Sequence, residues 1–196
     1  MDVHGFVTAG GRSSRMGKDK AWLEIDGRPM VQRVIDEMLR VTPAVSVIAN
    51  NPEYGRLGLP VLADLNSGVG PLEAIRVALA SSLAPTVLLV GCDLPFVTAE
   101  LLGFLLAHVE GAQVTVPLSP EGQLEPLCAI YSTEVLGQVT ALIETGERKV
   151  SRLFDRVRTR LIPFEDLSHL AGAERFFMNV NTQQDYVRAG GSLPEK

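Results

Sequence analysis

Short apolar runs alternate with longer segments of helical periodicity along the chain, and this alternation constrains the fold more than any other feature. Strand-like runs stand at 3–7 (VHGFV), 45–49 (VSVIA), 60–63 (PVLA), 86–90 (TVLLV), 113–117 (QVTVP), 127–131 (LCAIY) and 159–164 (TRLIPF). Helical patterns lie between or after them at 29–41, 71–82, 98–109, 133–144 and 149–157, and TQQDYVR predicts a last helix. In the first of these, Val31, Val34, Ile35, Met38 and Leu39 recur at helical spacing. Pro29 and Pro71 stand at first helical positions, where a missing N–H costs nothing. The strands are continuous apolar runs, as parallel strands covered on both faces require. The expected fold is a three-layer α/β/α, Rossmann-like domain with a mostly parallel central sheet. With 196 residues, no internal repeat and no linker, the chain reads as one domain, 1–196. Residues 190–196 or so read as a flexible tail.

In such a sheet, ligands collect at the carboxyl ends of the strands. The residues that follow the first four strands are Gly10 and Gly11, Asn50 and Asn51, Asp64, and Cys92 and Asp93. Charge narrows the choice of ligand. The chain carries a net charge of -5, which argues against a broad nucleic-acid surface. Yet TAGGRSSRMGKDKAW, residues 8–22, gathers Arg12, Arg15, Lys18 and Lys20 against Asp19 alone. A positive site must therefore be local, and its ligand anionic. The longest apolar runs are too short to span a bilayer, so no membrane partner is expected. The opening MDVHGF lacks the basic and apolar regions of a signal peptide. Cys92 and Cys128 form no CxxC and read as small buried hydrophobes in a reducing compartment, which makes the cytoplasm the expected location.

The glycine loop fits neither of the two best-known phosphate motifs. A Walker A loop places four residues between its glycines and a hydroxyl residue after its lysine. Here Gly11 and Gly17 are separated by five residues, and Asp19 follows Lys18. The dinucleotide fingerprint G-x-G-x-x-G fails because Gly10 and Gly11 are adjacent. The physics of anion binding still holds. Adjacent glycines allow positive φ and turn consecutive N–H groups inward as a nest. Ser13 and Ser14 add hydroxyls, Arg15 a fork for phosphate oxygens, and Lys20 a mobile point charge. A solvated basic turn is the competing reading, and the loop as a whole favours phosphate.

The pattern A-G-G-x-S-x-R-M-G-x-D-K, Ala9 to Lys20, resembles the signature loop of nucleotidyltransferases. Within them the chain is most similar to the molybdenum cofactor guanylyltransferase type. The likeness continues through GRPM, PVLAD, GPL, GCDLPF, EPLCAIY, TGERKV and FMNVNT. Relatives that use CTP tend to carry A-A-G where this chain has Ala9-Gly10-Gly11, which favours guanine.

The resemblance implies a nucleotide site made by Thr8, Ala9, Gly10, Gly11, Ser13, Arg15, Lys20, Asn50, Asp64 and Asp93. It implies catalysis by Arg15, Lys20 and Asp93, with Asp93 holding Mg²⁺ beside the triphosphate of GTP. Taken alone, Asp93 has a competing reading as a helix cap, which Thr98 fills better. Asp64 competes with an Asx turn. Gly70, Arg148, Asn179 and Asn181 are the candidates for contacting the second substrate. Arg148 also reads as part of a solvated helix start, and Asn181-Thr182 as a cap. Three departures stand out. Glu73 and Ala74 replace the usual Ala-Gly after Gly70-Pro71-Leu72, which puts a negative charge near an anionic site. Ile48 replaces an Asn found in some members, leaving base contacts to backbone or Asn50. Thr8 replaces the usual Leu. His4, His108 and His169 lie in unrelated segments without zinc-ligand spacing.

The reaction implied is transfer of GMP from GTP to the phosphate of molybdopterin, or of its molybdenum form, with release of pyrophosphate. Transient hand-over to cofactor-biosynthesis proteins and apo-molybdoenzymes is implied with it. Two other readings stay open: a nucleotidyltransferase joining CTP or UTP to another phosphorylated acceptor, and a GTP-binding regulatory module without turnover.

Overall fold

The computed structural model describes residues 1–10, 19–63 and 70–192. Its main sheet has seven strands. In chain order they are β1 (Val3–Thr8), β4 (Val45–Ile48), β5 (Val61–Leu62), β6 (Thr86–Gly91), β7 (Val114–Pro117), β8 (Cys128–Ser132) and β9 (Thr159–Ile162), in spatial order β5-β4-β1-β6-β8-β7-β9. A separate two-stranded hairpin, β2 (Glu24–Ile25) and β3 (Arg28–Pro29), follows the first loop. Pairing is parallel from β5 through β6 and again between β7 and β9. Only β8 runs the other way, antiparallel to both its neighbours. Its first residues therefore lie at the edge where β1, β4 and β6 end.

Helices cover both faces. One face packs α1 (Met30–Leu39) and α3 (Ala99–Ala107) over Val7, Leu88 and Val90. The other packs α2 (Pro71–Ser81), α4 (Leu136–Glu144) and α5 (Ser151–Phe154) over Phe6, Val87, Leu89 and Tyr131. Successive residues of a strand point to opposite faces, so β6, buried from Val87 to Gly91, feeds both layers. Each such buried apolar side chain contributes about 1.5–3 kcal/mol. The three-layer, mostly parallel expectation is what the chain adopts.

Local differences have identifiable causes. Pro29 does not open α1; it ends β3 and caps the helix that begins at Met30. The reason is the turn Asp26-Gly27, with φ of +54° and +73°, a pair suited to a two-residue hairpin. Pro71 does open α2, as expected. The helix expected over 149–157 is only α5, because tight turns around Val150 and Arg156 lead directly into β9. The last strand stops at Ile162: Pro163 has no N–H for a ladder and starts α6 (Phe164–Leu167). The C-terminal helix α7 (Gln183–Arg188) is followed by residues that dock back onto it. Ala189 is buried, and the N–H of Gly191 bonds to Tyr186 O at 2.9 Å. Among the described residues no helix is long and apolar enough to cross a membrane.

Candidate active site

Thr8 ends β1 between Ile48 and Gly91, and its carbonyl accepts the Cys92 N–H at 2.9 Å. Ala9 is buried and donates its N–H to Ile48 O. The chain then turns at Gly10, whose φ of +97° is the left-handed conformation expected for a nest. A Cβ there would meet nothing within 4 Å, so backbone conformation alone requires glycine. Gly11, Ser13, Arg15 and Asp64 lie outside the described residues.

The chain returns at Asp19, the single acid of the loop, and the acid has a structural task. Its carboxylate caps the 3₁₀ turn Lys20–Trp22 by accepting the Ala21 N–H, and takes the Tyr54 hydroxyl at 2.7 Å. Tyr54 is fully buried against Trp22. That anchor aims Lys20. Its ammonium donates to Asp93 Oδ2 at 3.0 Å and to Asn181 Oδ1 at 2.7 Å, which joins residues 73 and 161 positions away.

Asp93 is held from two sides. The Leu94 N–H bonds back to Gly91 O, and the Val180 N–H bonds to Asp93 O at 2.9 Å. Thr98, not Asp93, caps α3 by accepting the Leu101 N–H. The Asp93 carboxylate is therefore committed to Lys20. The segment around Asn181 is fixed by a capping box between Thr182 and Asp185 at the start of α7, which makes Thr182 structural and leaves the Asn181 amide oxygen to Lys20.

Gly91 escaped sequence reasoning. A Cβ there would stand 2.5 Å from Asp93 Oδ1, so glycine lets the carboxylate fold back over the strand end. The pattern GCD was the only signal. Gly91→Ala is expected to fold but to displace the Asp93 carboxylate, lowering turnover about 10- to 100-fold, the scale of a lost positioning contact. Steady-state kinetics beside a melting curve checks this.

The remaining candidates are spread along the same edge. Asn50 is exposed just beyond β4, whereas Asn51 caps the 3₁₀ turn Pro52–Leu57. Ile48 is buried in the core. Gly70, φ +80°, caps α2. Arg148 is exposed, with its N–H on the Glu147 carboxylate. That carboxylate also takes the Lys149 N–H, and both bonds hold its pKa down. Asn179 makes a long 3.5 Å contact to Phe177 O and no described bond to Lys20 or Asp93. Glu73 needs a correction. It is fully buried, and Arg76 neutralises it through bonds of 2.8 and 2.6 Å, so it presents no bare charge to an anion. His4 is buried on Ser46, and His108 packs on Phe104. Both cysteines are buried free thiols, and burial pushes Cys92 up to about 12, so it stays protonated.

Glu125 was also missed, because EPLCAIY reads only as a stretch of the resemblance and as a strand from residue 127. It lies at the start of the antiparallel strand, where the Gly91 N–H bonds to Leu127 O at 2.7 Å. Burial, then the charges of Asp93 and Glu121, raise its carboxyl to about 7. A carboxyl that binds its proton more tightly in the folded state loses stability as pH rises from its ordinary value of 4.5 to about 7. Glu125→Gln is therefore expected to gain stability relative to the parent across that window. Parallel melting-temperature profiles would contradict it.

Asp93 and Asn181 offer two hard oxygens, and the Lys20 ammonium is a cation already standing against both. A pair of protein oxygens completed by phosphate oxygens is a set that suits Mg²⁺, so these residues fit a divalent metal. Among the described residues no cluster of three or more His, Cys, Asp or Glu could cage one without substrate.

A mostly parallel α/β sheet with a glycine turn after its first strand and a lysine–carboxylate pair at its carboxyl edge is the frame of a site for a phosphorylated ligand. A family model described as a MobA-like NTP transferase domain matches residues 5–161. A probable molybdenum cofactor guanylyltransferase of Pelotomaculum thermopropionicum is 38% identical over 190 residues, 96% of this chain and 92% of the relative. The solved structure of the molybdopterin-guanine dinucleotide biosynthesis protein A of Archaeoglobus fulgidus superposes with a TM-score of 0.79 at 24% identity, covering 95% and 96% of the two chains. A Mycobacterium tuberculosis protein solved in complex with manganese has a TM-score of 0.72 at 19% identity, covering 97% and 98%. The chain belongs to the MobA-like NTP transferase family.

Proposed function

We propose that the protein transfers GMP from GTP to the phosphate of molybdopterin, forming the guanine dinucleotide and releasing pyrophosphate. The observation that carries this is Lys20, held between Asp93 and Asn181 at the end of the phosphate loop, in a chain whose curated relatives carry that activity as their name. The nucleophile is a phosphate monoester with a second pKa of about 6. It is an oxyanion at neutral pH and needs no general base. What remains is alignment of two anions and neutralisation of charge moving to the leaving group.

Lys20, with Arg15 and the amides of Gly10 and Gly11, receives the pyrophosphate. Ser13, Asp64 and Asn50 complete the nucleotide side. Asp93 and Asn181 hold Mg²⁺, which supplies charge neutralisation on the phosphates. Gly70, Arg148 and Asn179 face the acceptor. The cytoplasm is the proposed location, with hand-over of product to apo-molybdoenzymes.

The test is purified protein with Mg²⁺, molybdopterin and each nucleoside triphosphate in turn. Guanine dinucleotide and stoichiometric pyrophosphate from GTP alone support the reading. Turnover with CTP or UTP instead, or GTP binding without turnover, contradicts it.

A further inference from the structure

Glu125 stands just before β8, at the edge where the Gly91 N–H bonds to Leu127 O, and the mechanism above leaves its carboxyl unused. Its backbone is fixed at both ends: its N–H donates to Pro117 O at 3.1 Å, and its carbonyl accepts the Cys128 N–H at 2.9 Å. The next residue is also anchored, through the Tyr131 hydroxyl on Pro126 O at 2.7 Å. Nearby Glu121 accepts the Ser119 hydroxyl, whereas the Glu125 carboxyl accepts no hydrogen bond among the described residues. A half-buried carboxyl on a fixed backbone, with no protein donor among the described residues, is open to donors from a ligand.

Its place in the sheet says which ligand. Thr8, Ala9, Gly10 and Asn50 end β1 and β4, on one side of Asp93, and Glu125 precedes β8 on the other. An in-line displacement brings the attacking phosphate from the side opposite the pyrophosphate, so the acceptor lies toward β8. The acceptor's pterin carries a ring N–H next to an exocyclic amino group, two parallel donors spaced for the two oxygens of a carboxylate.

Resting on the reaction proposed above, we propose that Glu125 is a specificity-determining residue whose carboxylate accepts both donors of the acceptor's pterin edge. Guanine presents the same pair of donors, so the test must separate the two sources.

The probes are a pterin and a lumazine, each carrying a 6-phosphomethyl group, titrated into the protein by their own fluorescence. In lumazine a carbonyl replaces the amino group. The parent protein is expected to prefer the pterin about 10- to 100-fold, the scale of hydrogen bonds to a charged group. Glu125→Gln is expected to lose that preference while keeping its affinity for GTP and its discrimination against ITP, which lacks the 2-amino group. GTP binding also reports that the variant is folded, and the comparison in the parent protein needs no variant. Equal affinity of the parent for pterin and lumazine, with GTP bound normally, overturns the role of Glu125 and leaves the proposed reaction standing. A loss that falls on GTP in Glu125→Gln assigns the carboxyl to the nucleotide base and overturns it equally. A parent protein that binds neither GTP nor pterin overturns the reaction and this inference together.

Discussion

Replacing Asp93 by asparagine is expected to leave the fold intact and to cut guanylyl transfer by about 10³-fold or more, the scale of losing a preorganised charge-stabilising group. The substitution keeps the shape. The side chain is 22% exposed, the strand is held by the bonds Cys92 N–H to Thr8 O and Val180 N–H to Asp93 O, and neither bond uses the carboxylate. What is lost is the negative charge at the meeting point of β1, β6 and the segment of Asn181. Without it the proposed cation site keeps no anionic oxygen from the described residues, and the Lys20 ammonium has only the Asn181 amide oxygen to oppose it. Metal dependence is the informative readout: raising Mg²⁺ should recover part of the turnover. Activity within tenfold of the parent would remove Asp93 from the mechanism.

Lys20→Met is expected to have two effects of opposite sign, which no purely structural role would produce. With GTP and acceptor present, turnover falls about 10²- to 10³-fold because a cation at the leaving group is gone. Without nucleotide, Mn²⁺ binding measured by electron paramagnetic resonance becomes tighter, since the ammonium no longer occupies Asp93 Oδ2 and Asn181 Oδ1. In the proposed exchange the ammonium would neutralise the two oxygens while the nucleotide is absent and would turn to the phosphates once it binds. The fold should survive, because Asp19 and Tyr54 hold the 3₁₀ turn independently of the lysine head group. Unchanged or weaker Mn²⁺ binding would contradict the exchange.

The layers were legible because they follow from periodicity: the apolar runs of β1, β4 and β6 and the helical spacing from Val31 to Leu39 leave few other arrangements. The positive φ at Gly10 and the place of Asp93 at the carboxyl edge were legible because a glycine pair and a carboxylate each follow an apolar strand run. Strand direction was not. Nothing in LCAIY states that β8 runs antiparallel, yet this reversal carries Glu125 to the site. Partner identity was equally hidden. Glu73 read as a bare charge because its neutraliser, Arg76, is visible only as a neighbour three residues on along α2. The single acid of the loop, Asp19, is bound by Tyr54, 35 residues away, through a contact no local pattern encodes. The hairpin over 24–29 had its Asp26-Gly27 signal in plain view, but a helix-start proline drew Pro29 into the wrong element.

The central claim is that a divalent metal carrying the triphosphate of GTP sits on Asp93 and Asn181 in place of the Lys20 ammonium. Crystals soaked with GTP and manganese test it through anomalous scattering. A manganese peak within bonding distance of both side-chain oxygens, with the Lys20 head group shifted onto phosphate, is the predicted result. A peak elsewhere, or Lys20 still seated between the two oxygens at saturating GTP and manganese, would contradict it.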